Sequence, residues 1–330
     1  ETDDVIKKPK NTFKIAGRLV LLRSHGCLCF GHLQDFSGKI QLCFMEKVLG
    51  KDRYKFLRKI DVADFLGAEG ELFITKHGEL TLLVKDFILL SKALRPLPEK
   101  WHGLQDIEAK YRARYLDLVM DEESKKRFIL RTRVIDSIRR FLNENEFLEV
   151  ETPVLSHKAS GATAKPFSTH HNALDIDVFL RIAPELYLKR CVAGGLERVY
   201  EFAKCFRNEG MDPSHLQEFL MLEYYAAYWN YEDNMDFTEE LFVKVLKDVF
   251  GTLEIECLSR DLKTKKIDFT PPWPRKEFVK LIEKDSGINI LKFKNADELR
   301  KEIKKKKIQI DDIEKLGYGN LADSLYKKVS

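Results

Sequence analysis

Residues 198–228 constrain the fold more tightly than any other stretch. Arg198 to Phe206 (RVYEFAKCF) and Phe219 to Tyr228 (FLMLEYYAAY) each read as a strand, and the segment between them is polar. Successive side chains of a strand face opposite ways, so Phe219, Met221, Glu223 and Tyr225 share one face. A carboxylate and a phenol among apolar neighbours are costly to bury without partners. Arg207, Glu209 and His215, on the connection, add an anion-binding guanidinium and hydrogen-bonding groups. The set suits a ligand with an anion at one end and a cation at the other.

The N-terminal part has a different texture. FKIAGRLVLLR, CLCFGHLQDF and KIQLCFME are strand-like, and Ser37–Gly38 marks a tight hairpin. Residues 52–66 carry helical periodicity, and ELFITK and ELTLLVKDFILL follow, hinged on His77 and Gly78. Three strands, a helix and two more strands is the order of an OB-fold barrel. Residues 1–92 are therefore expected to form that barrel. Residues 93–118, with Pro96, Pro98 and Gly103, read as a linker, and residues 119–330 as a second domain.

The second domain opens on a long helix at 122–146, whose Ile135, Ile138, Phe141 and Leu142 fit one face. FLEVETPVL reads as a strand ending at Pro153. DIDVFLRIA is a further strand, PELYLKRCVAGG a helix, and a helix is expected near 231–249. Strands alternating with helices around a central hairpin point to an antiparallel α+β domain. Neither GxGxxG nor a P-loop is present, and no internal repeat is seen. Lys304 to Lys307 read as a solvated helix face.

Composition bounds the reading. With 57 Lys and Arg against 53 Asp and Glu in 330 residues, net charge by itself does not indicate nucleic acid. No apolar run reaches membrane-spanning length and ETDDVIKKPK has no apolar signal core, so a cytoplasmic protein without a membrane partner is expected. The six cysteines form no CxxC pair and no zinc-like spacing, and are expected to be buried free thiols in a reducing compartment. The chain opens on Glu1 rather than Met, so sequence upstream is expected.

The residues also carry a family resemblance, over essentially the whole chain. FRNEG at 206–210 resembles the start of the second motif of class II aminoacyl-tRNA synthetases. FLEVETPVL with Pro153 resembles the first motif, which in that class forms a dimer interface. LRPLPEKWHGLQDIEAKYRARYLDL and FLRIAPELYLKR resemble the linker and the amino-acid pocket of the lysyl-tRNA synthetases. The fold implied is α+β: an N-terminal OB-fold β-barrel plus a class II antiparallel sheet with flanking helices, C-terminally incomplete.

The resemblance implies roles. Arg207 would hold the substrate carboxylate and the ATP α-phosphate, as the catalytic residue. Glu209 would accept a hydrogen bond from the adenine amino group, Phe219 would stack on the purine, and His215 would touch the distal phosphates. Glu185 and Tyr225 would receive the lysine ammonium, Gly161 in SGATAKPF would let the backbone approach the amino acid, and Glu223 would stand behind them. Arg23, Phe30, Gln41 and Glu79 would read the central uridine of the anticodon, with Phe30 as stacking face. An acidic pocket containing Glu185 and Glu223 favours a cationic side chain such as lysine, where an aspartate enzyme would need cations. Lysine, ATP and lysine tRNA are the implied substrates, magnesium the implied cofactor, and a homodimer the implied assembly. No metal ligand is assigned among the residues present.

The chain departs from the family pattern at named places. The loop reads MDPSHLQEF where the family has His-Asn-Pro-Glu-Phe, so Leu216 and Gln217 replace Asn and Pro. Lys165 replaces an Arg, keeping the charge without the bidentate fork. No Gly-rich segment followed by Asp-Arg occurs after residue 251, so the third motif is not found. The expectation is a lysine–tRNA ligase fragment with impaired catalysis. The alternative is a non-catalytic RNA-binding or regulatory paralogue, which has no need for Arg207, Glu209, Glu185 and Phe219 together. An enzyme lysylating a protein or lipid is a third reading, opposed by the anticodon-type domain.

Overall fold

The computed structural model describes residues 11–98, 106–210, 212, 215–258 and 264–329. Gly103 of the expected linker, and Met211, Pro213 and Ser214 of the loop, lie outside the described residues. The chain divides into two compact units, Glu1–Ile129 and Leu130–Ser330.

The first unit contains the barrel. Strands β1 (Thr12–His25), β2 (Leu28–Gln34) and β3 (Lys39–Met45) form a meander. Short helices α1 (Glu46–Leu49) and α2 (Lys51–Phe56) follow, then β4 (Phe65–Ile74) and β5 (Leu80–Ser91). The strands close in the order β1-β2-β3-β5-β4, with β3 and β5 parallel. Strict alternation in β2 puts Cys29, Gly31 and Leu33 inside and leaves Phe30, His32 and Gln34 outside. Leu19, Leu42, Phe44, Leu66, Leu82, Val84 and Phe87 complete the core. The Ser37–Gly38 turn is held by Asp35, whose carboxylate accepts from the Ser37 and Gly38 amides at 2.7 and 3.0 Å. β4 shifts register between Glu69 and Gly70, where a Cβ on Gly70 would lie 1.9 Å from the Leu83 carbonyl oxygen.

The helix expected over 52–66 is shorter. A 3₁₀ turn ends at Lys59, and Phe65 already belongs to β4. The fully buried Asp64 carboxylate turns the chain, accepting from the Asp61 amide at 2.8 Å and from Lys92 Nζ and the Ala93 amide, each at 2.7 Å. The Ala63 amide donates to Leu19 O, and the Leu19 amide to Asp64 O, both at 2.8 Å. Pairing with β1 thus outcompetes continued helix, and Ala63 takes a left-handed φ of 88°. Helices α3 (Ile107–Arg112) and α4 (Arg114–Met120) fill the described second half of the expected linker. The units divide within α5 (Glu122–Glu144).

In the second unit β6 (Leu148–Glu149), β7 (Leu155–Ser156), β8 (Ser168–His171) and β9 (Ile176–Leu180) precede α6 (Glu185–Ala193). Then come β10 (Arg198–Phe206), β11 (Glu218–Ala226), α7 (Tyr231–Phe250), β12 (Glu254–Leu258) and β13 (Thr264–Asp268). Helices α8 (Phe278–Ser286), α9 (Ala296–Lys305) and α10 (Tyr318–Val329) close the chain on a core of their own, around Ile282, Leu299, Leu321 and Leu325. The sheets run β11-β10-β6, β7-β9-β8 and β12-β13. β6 pairs with β10 in parallel, so the central sheet is not purely antiparallel. Phe141, Leu142, Phe147, Tyr200, Phe237 and Leu241 pack α5 and α7 on its outer face.

The strand expected to end at Pro153 is only the two residues of β6, because Thr152 leaves the sheet to serve a buried ion pair. Arg181 Nη1 lies 2.6 Å from Glu201 Oε1 and 3.0 Å from both Thr152 O and Oγ1. Arg181 Nε donates to Lys204 O at 2.8 Å, and Thr152 Oγ1 donates to Glu201 Oε2 at 2.6 Å. Lys304 to Lys307 are exposed, the first two ending α9 and the others lying beyond it. All six cysteines are free; Cys27 and Cys257 are exposed, contrary to the expected burial. Cys27 sits in the turn between β1 and β2, and Cys257 on a two-stranded ribbon whose residues are almost all exposed. Among the described residues no helix is long and apolar enough to cross a membrane.

Asp64 carries a stability prediction. Burial pushes its carboxyl up, but the Asp61 and Ala93 amides and Lys92 overcome this and hold it below the ordinary carboxylate range. Its contribution is therefore complete above the unfolded pKa near 4 and is lost as pH falls through the depressed folded value. Asp64→Asn is expected to cost about 1–3 kcal/mol in urea unfolding at neutral pH. The difference from wild type should shrink below about pH 4; a constant difference contradicts the assignment.

Candidate active site

The β10–β11 hairpin sets the site. Its register pairs Cys205 with Phe219, Ala203 with Met221, Glu201 with Glu223 and Val199 with Tyr225. Alternation then gathers Phe219, Glu223, Tyr225, Glu201 and Cys205 on one face, as expected for β11. Arg207 extends that row just past β10, where its amide donates to Gln217 O at 2.8 Å.

At one end of the face the groups are acidic. Pro184 precedes α6, so Glu185 is its first residue, where the helix dipole favours a carboxylate. Gly161 has φ 88°, and a Cβ there would lie 2.9 Å from Glu185 Cβ and 3.1 Å from Ala183 Cβ. Only glycine fits this left-handed close approach. Glu185 Oε1 accepts from Lys189 Nζ at 2.5 Å, one helical turn on, and that ammonium lies 5.7 Å from the centre of the Tyr225 ring. The Tyr225 hydroxyl donates to Glu223 Oε1 at 2.7 Å. Burial pushes the Glu223 carboxyl up, with Glu185 adding to the rise and the Tyr225 bond opposing it. Burial and the negative Glu223 together push the Tyr225 phenol up, so it remains a hydrogen-bond donor.

At the other end Arg207, Glu209, Gly210, His215, Leu216 and Phe219 line a cavity of 260 Å³. The Arg207 guanidinium lies over the Phe219 ring, 5.1 Å from its centre. Its Nε is buried and has no hydrogen-bond partner among the described residues. A buried charged donor left unmatched is a feature of sites that receive an anion. The Asn208 amide donates to Lys165 O at 2.7 Å, and the Lys165 amide donates to Glu209 Oε1 at 3.4 Å. These contacts tie the Gly161–Lys165 loop to the segment after β10. His215 is exposed, and its Nδ1 is 2.6 Å from Asp212 Oδ2. Leu216 is exposed at the cavity mouth and offers no polar atom.

The structure thus brings together the residues singled out for the amino acid (Gly161, Glu185, Glu223, Tyr225) and those singled out for the nucleotide (Arg207, Glu209, His215, Phe219). On the barrel, Arg23 faces Phe30 across β1–β2, and Gln41 Nε2 donates to Glu79 Oε2 at 2.7 Å. Arg181, Lys189, Asp212, His32 and Thr81 were not singled out. Lys189 is readable four residues after Glu185 and Asp212 three before His215; the other three announce themselves only through contacts distant in sequence. Among the described residues no group of three or more His, Cys, Asp or Glu side chains is gathered to hold a metal. The magnesium implied by the resemblance finds no ligand set here.

Known proteins bear on these faces. The family of tRNA synthetases class II (D, K and N) matches residues 106–313, and the OB-fold nucleic acid binding domain matches residues 13–90. The lysine–tRNA ligase of Aquifex aeolicus is 46% identical over 318 residues, which is 96% of this chain and 52% of the relative. That of Carboxydothermus hydrogenoformans is 46% identical over 317 residues, 96% of this chain and 64% of the relative. That of Magnetococcus marinus is 51% identical over 280 residues, 83% of this chain and 55% of the relative. The chain spans little more than half to just under two thirds of the length of these relatives.

The acidic end yields a titration prediction. By carbon-detected NMR, Glu223 is expected to titrate above the ordinary glutamate value, and Tyr225→Phe should raise it further by removing the donated hydrogen bond. A wild-type Glu223 titrating at or below the ordinary value contradicts the desolvated pocket.

Proposed function

The chain belongs to the class II tRNA synthetases of the D, K and N group, and we propose that it carries the anticodon-reading barrel and the amino-acid and nucleotide site of a lysine–tRNA ligase. One observation carries the reading. The face of the hairpin carries Glu223 and the phenol of Tyr225 at one end, beside Glu185 of α6, and at the other the Arg207 guanidinium, whose buried Nε has no partner among the described residues. Four residues from Phe219 to Glu223 set the two ends about 13 Å apart along the strand. A diamino acid joined to a nucleotide has charges of the right sign for both ends.

In the reaction the lysine carboxylate oxygen attacks the ATP α-phosphorus. The bond to the β-phosphate oxygen breaks, and pyrophosphate leaves with the electron pair. Arg207 can bond the attacking carboxylate and an α-phosphate oxygen together, which orients the attack and offsets the charge on phosphorus. Phe219 and Glu209 hold the adenine by stacking and by accepting from its amino group, and His215, steadied by Asp212, faces the distal phosphates. The terminal ribose hydroxyl of the tRNA then attacks the lysyl carbonyl and AMP departs. Glu185 and Tyr225 receive the ammonium and Glu223 holds the Tyr225 hydroxyl in place. Magnesium brought in on ATP would supply further charge neutralisation on the phosphates.

The barrel reads the anticodon centre in the same proposal, with Phe30 as stacking surface, Gln41 and Glu79 at the base edge and Arg23 on the backbone. The reading also makes the chain one half of a homodimer joined near Pro153. Leu148, Val154 and Leu155, which flank that proline, are exposed apolar residues.

Calorimetric titration of the chain with lysine and, separately, with ATP tests the proposal. Glu223→Gln and Arg207→Ala are each expected to weaken lysine binding at least about tenfold, the scale of a lost buried charge contact. Phe219→Ala should weaken ATP and leave lysine unaffected. Lysine binding that is indifferent to Glu223 and Arg207 sinks the assignment.

A further inference from the structure

The barrel face holds a row of polar side chains that extends beyond the residues assigned to the anticodon. His32 faces Gln41 across β2–β3, and Gln41 faces Thr81 across β3–β5. Glu79 lies two residues before Thr81 and closes the row. Its Oε1 is 3.0 Å from His32 Nε2, and its Oε2 accepts from Gln41 Nε2 at 2.7 Å. Thr81, fully buried, donates from Oγ1 to Gln41 Oε1 at 2.7 Å. The same hydroxyl is 3.1 Å from Glu79 O, but it has one proton and the shorter contact takes it.

The chemistry of the row admits one arrangement. An ionised carboxylate only accepts, so Gln41 must turn its nitrogen, not its oxygen, toward Glu79. The Gln41 oxygen then points along the strands at Thr81 and needs a donor, which the hydroxyl supplies. For the same reason His32 must carry its proton on Nε2. With both ends tied, Gln41 keeps one unused N–H and Glu79 keeps unused lone pairs. A donor beside an acceptor complements a carbonyl and the neighbouring N3–H of uracil. Were the amide reversed, two acceptors would stand side by side and the match would be lost.

We propose that His32 and Thr81 are positioning residues of the base-reading face: from opposite ends of the row they lock the Glu79 carboxylate and the Gln41 amide into one donor–acceptor pattern, and so set the preference for uridine. Neither residue needs to touch the RNA. The inference rests on the anticodon role proposed above for Gln41 and Glu79, and the test separates the two.

The whole chain is titrated at one fixed salt concentration with a fluorescent RNA stem-loop whose central loop base is uridine, and with the same stem-loop carrying cytidine. Wild type is expected to prefer uridine. His32→Ala and Thr81→Val should each lower the uridine-to-cytidine affinity ratio by about tenfold, the scale of one lost base-edge contact. Cytidine affinity should stay within about twofold, since phosphate and stacking contacts are untouched. Thr81→Ser, which keeps the hydroxyl, and His32→Gln, which keeps a donor, should restore most of the ratio. A merely structural role would weaken both RNAs equally and would not be rescued selectively; that result overturns the inference. So does an unchanged ratio in His32→Ala and Thr81→Val. If wild type shows no preference for uridine, the anticodon role itself falls and this inference with it.

Discussion

The Arg181–Glu201 pair is the contact on which the second unit's geometry depends. Both side chains are more than nine-tenths buried, and their charged atoms meet at 2.6 Å. A buried pair gains little net stability over apolar residues of the same size, because desolvation offsets the attraction. Its value here is geometric. Arg181 bonds Thr152 and Lys204 as well as Glu201, so the segment after β6, the end of β9 and the middle of β10 meet at one guanidinium. The Phe206 amide adds a bond to Arg181 O at 2.9 Å, one residue before Arg207. Position and direction of Arg207 are thus inherited from a cation that itself faces no ligand.

The same pair resolves a conflict on the sheet face. Glu201 and Glu223 are direct cross-strand partners, and like charges in that relation repel. With Glu201 neutralised by Arg181, Glu223 is the acid left for the pocket. Burial and Glu185 still bias it toward its neutral form, while Tyr225 and Lys189 draw it back. The net shift is toward the neutral form, and an incoming ammonium would favour the charged one.

Sequence reading recovered what depends on short-range periodicity. β10 runs over the expected residues, β11 departs by one or two at its ends, and the barrel order and α7 are as expected. It failed where a distant partner decides. Asp64 ends the helix early because Lys92 and β1 compete for that segment, and Thr152 interrupts a strand because Arg181 lies across from it. The three helices after residue 276 bury an apolar cluster that no strand-alternation argument could foresee. Gly161, Glu185, Phe219 and Arg207 could be singled out as candidates because their motifs are local. His32 reads from sequence as an outward residue of a strand, and its bond to Glu79 spans 47 positions.

The carboxylates of Glu185 and Glu79, both given ligand roles in the proposal, are tied by resident donors. Lys189 takes Oε1 of Glu185, while Oε2 is the oxygen nearest the Gly161 approach. His32 and Gln41 take one oxygen each of Glu79. A free glutamate has several rotamers of similar energy, and ordering it on binding costs conformational entropy. Ordering it in advance moves that cost from binding to folding, where the barrel and α6 already absorb it. The near balance of 57 basic and 53 acidic residues follows the same logic. In the proposed function, recognition of an anionic polymer would draw less on net charge than on pre-set local patterns of donors, acceptors and aromatic faces, as on β2, β3 and β5.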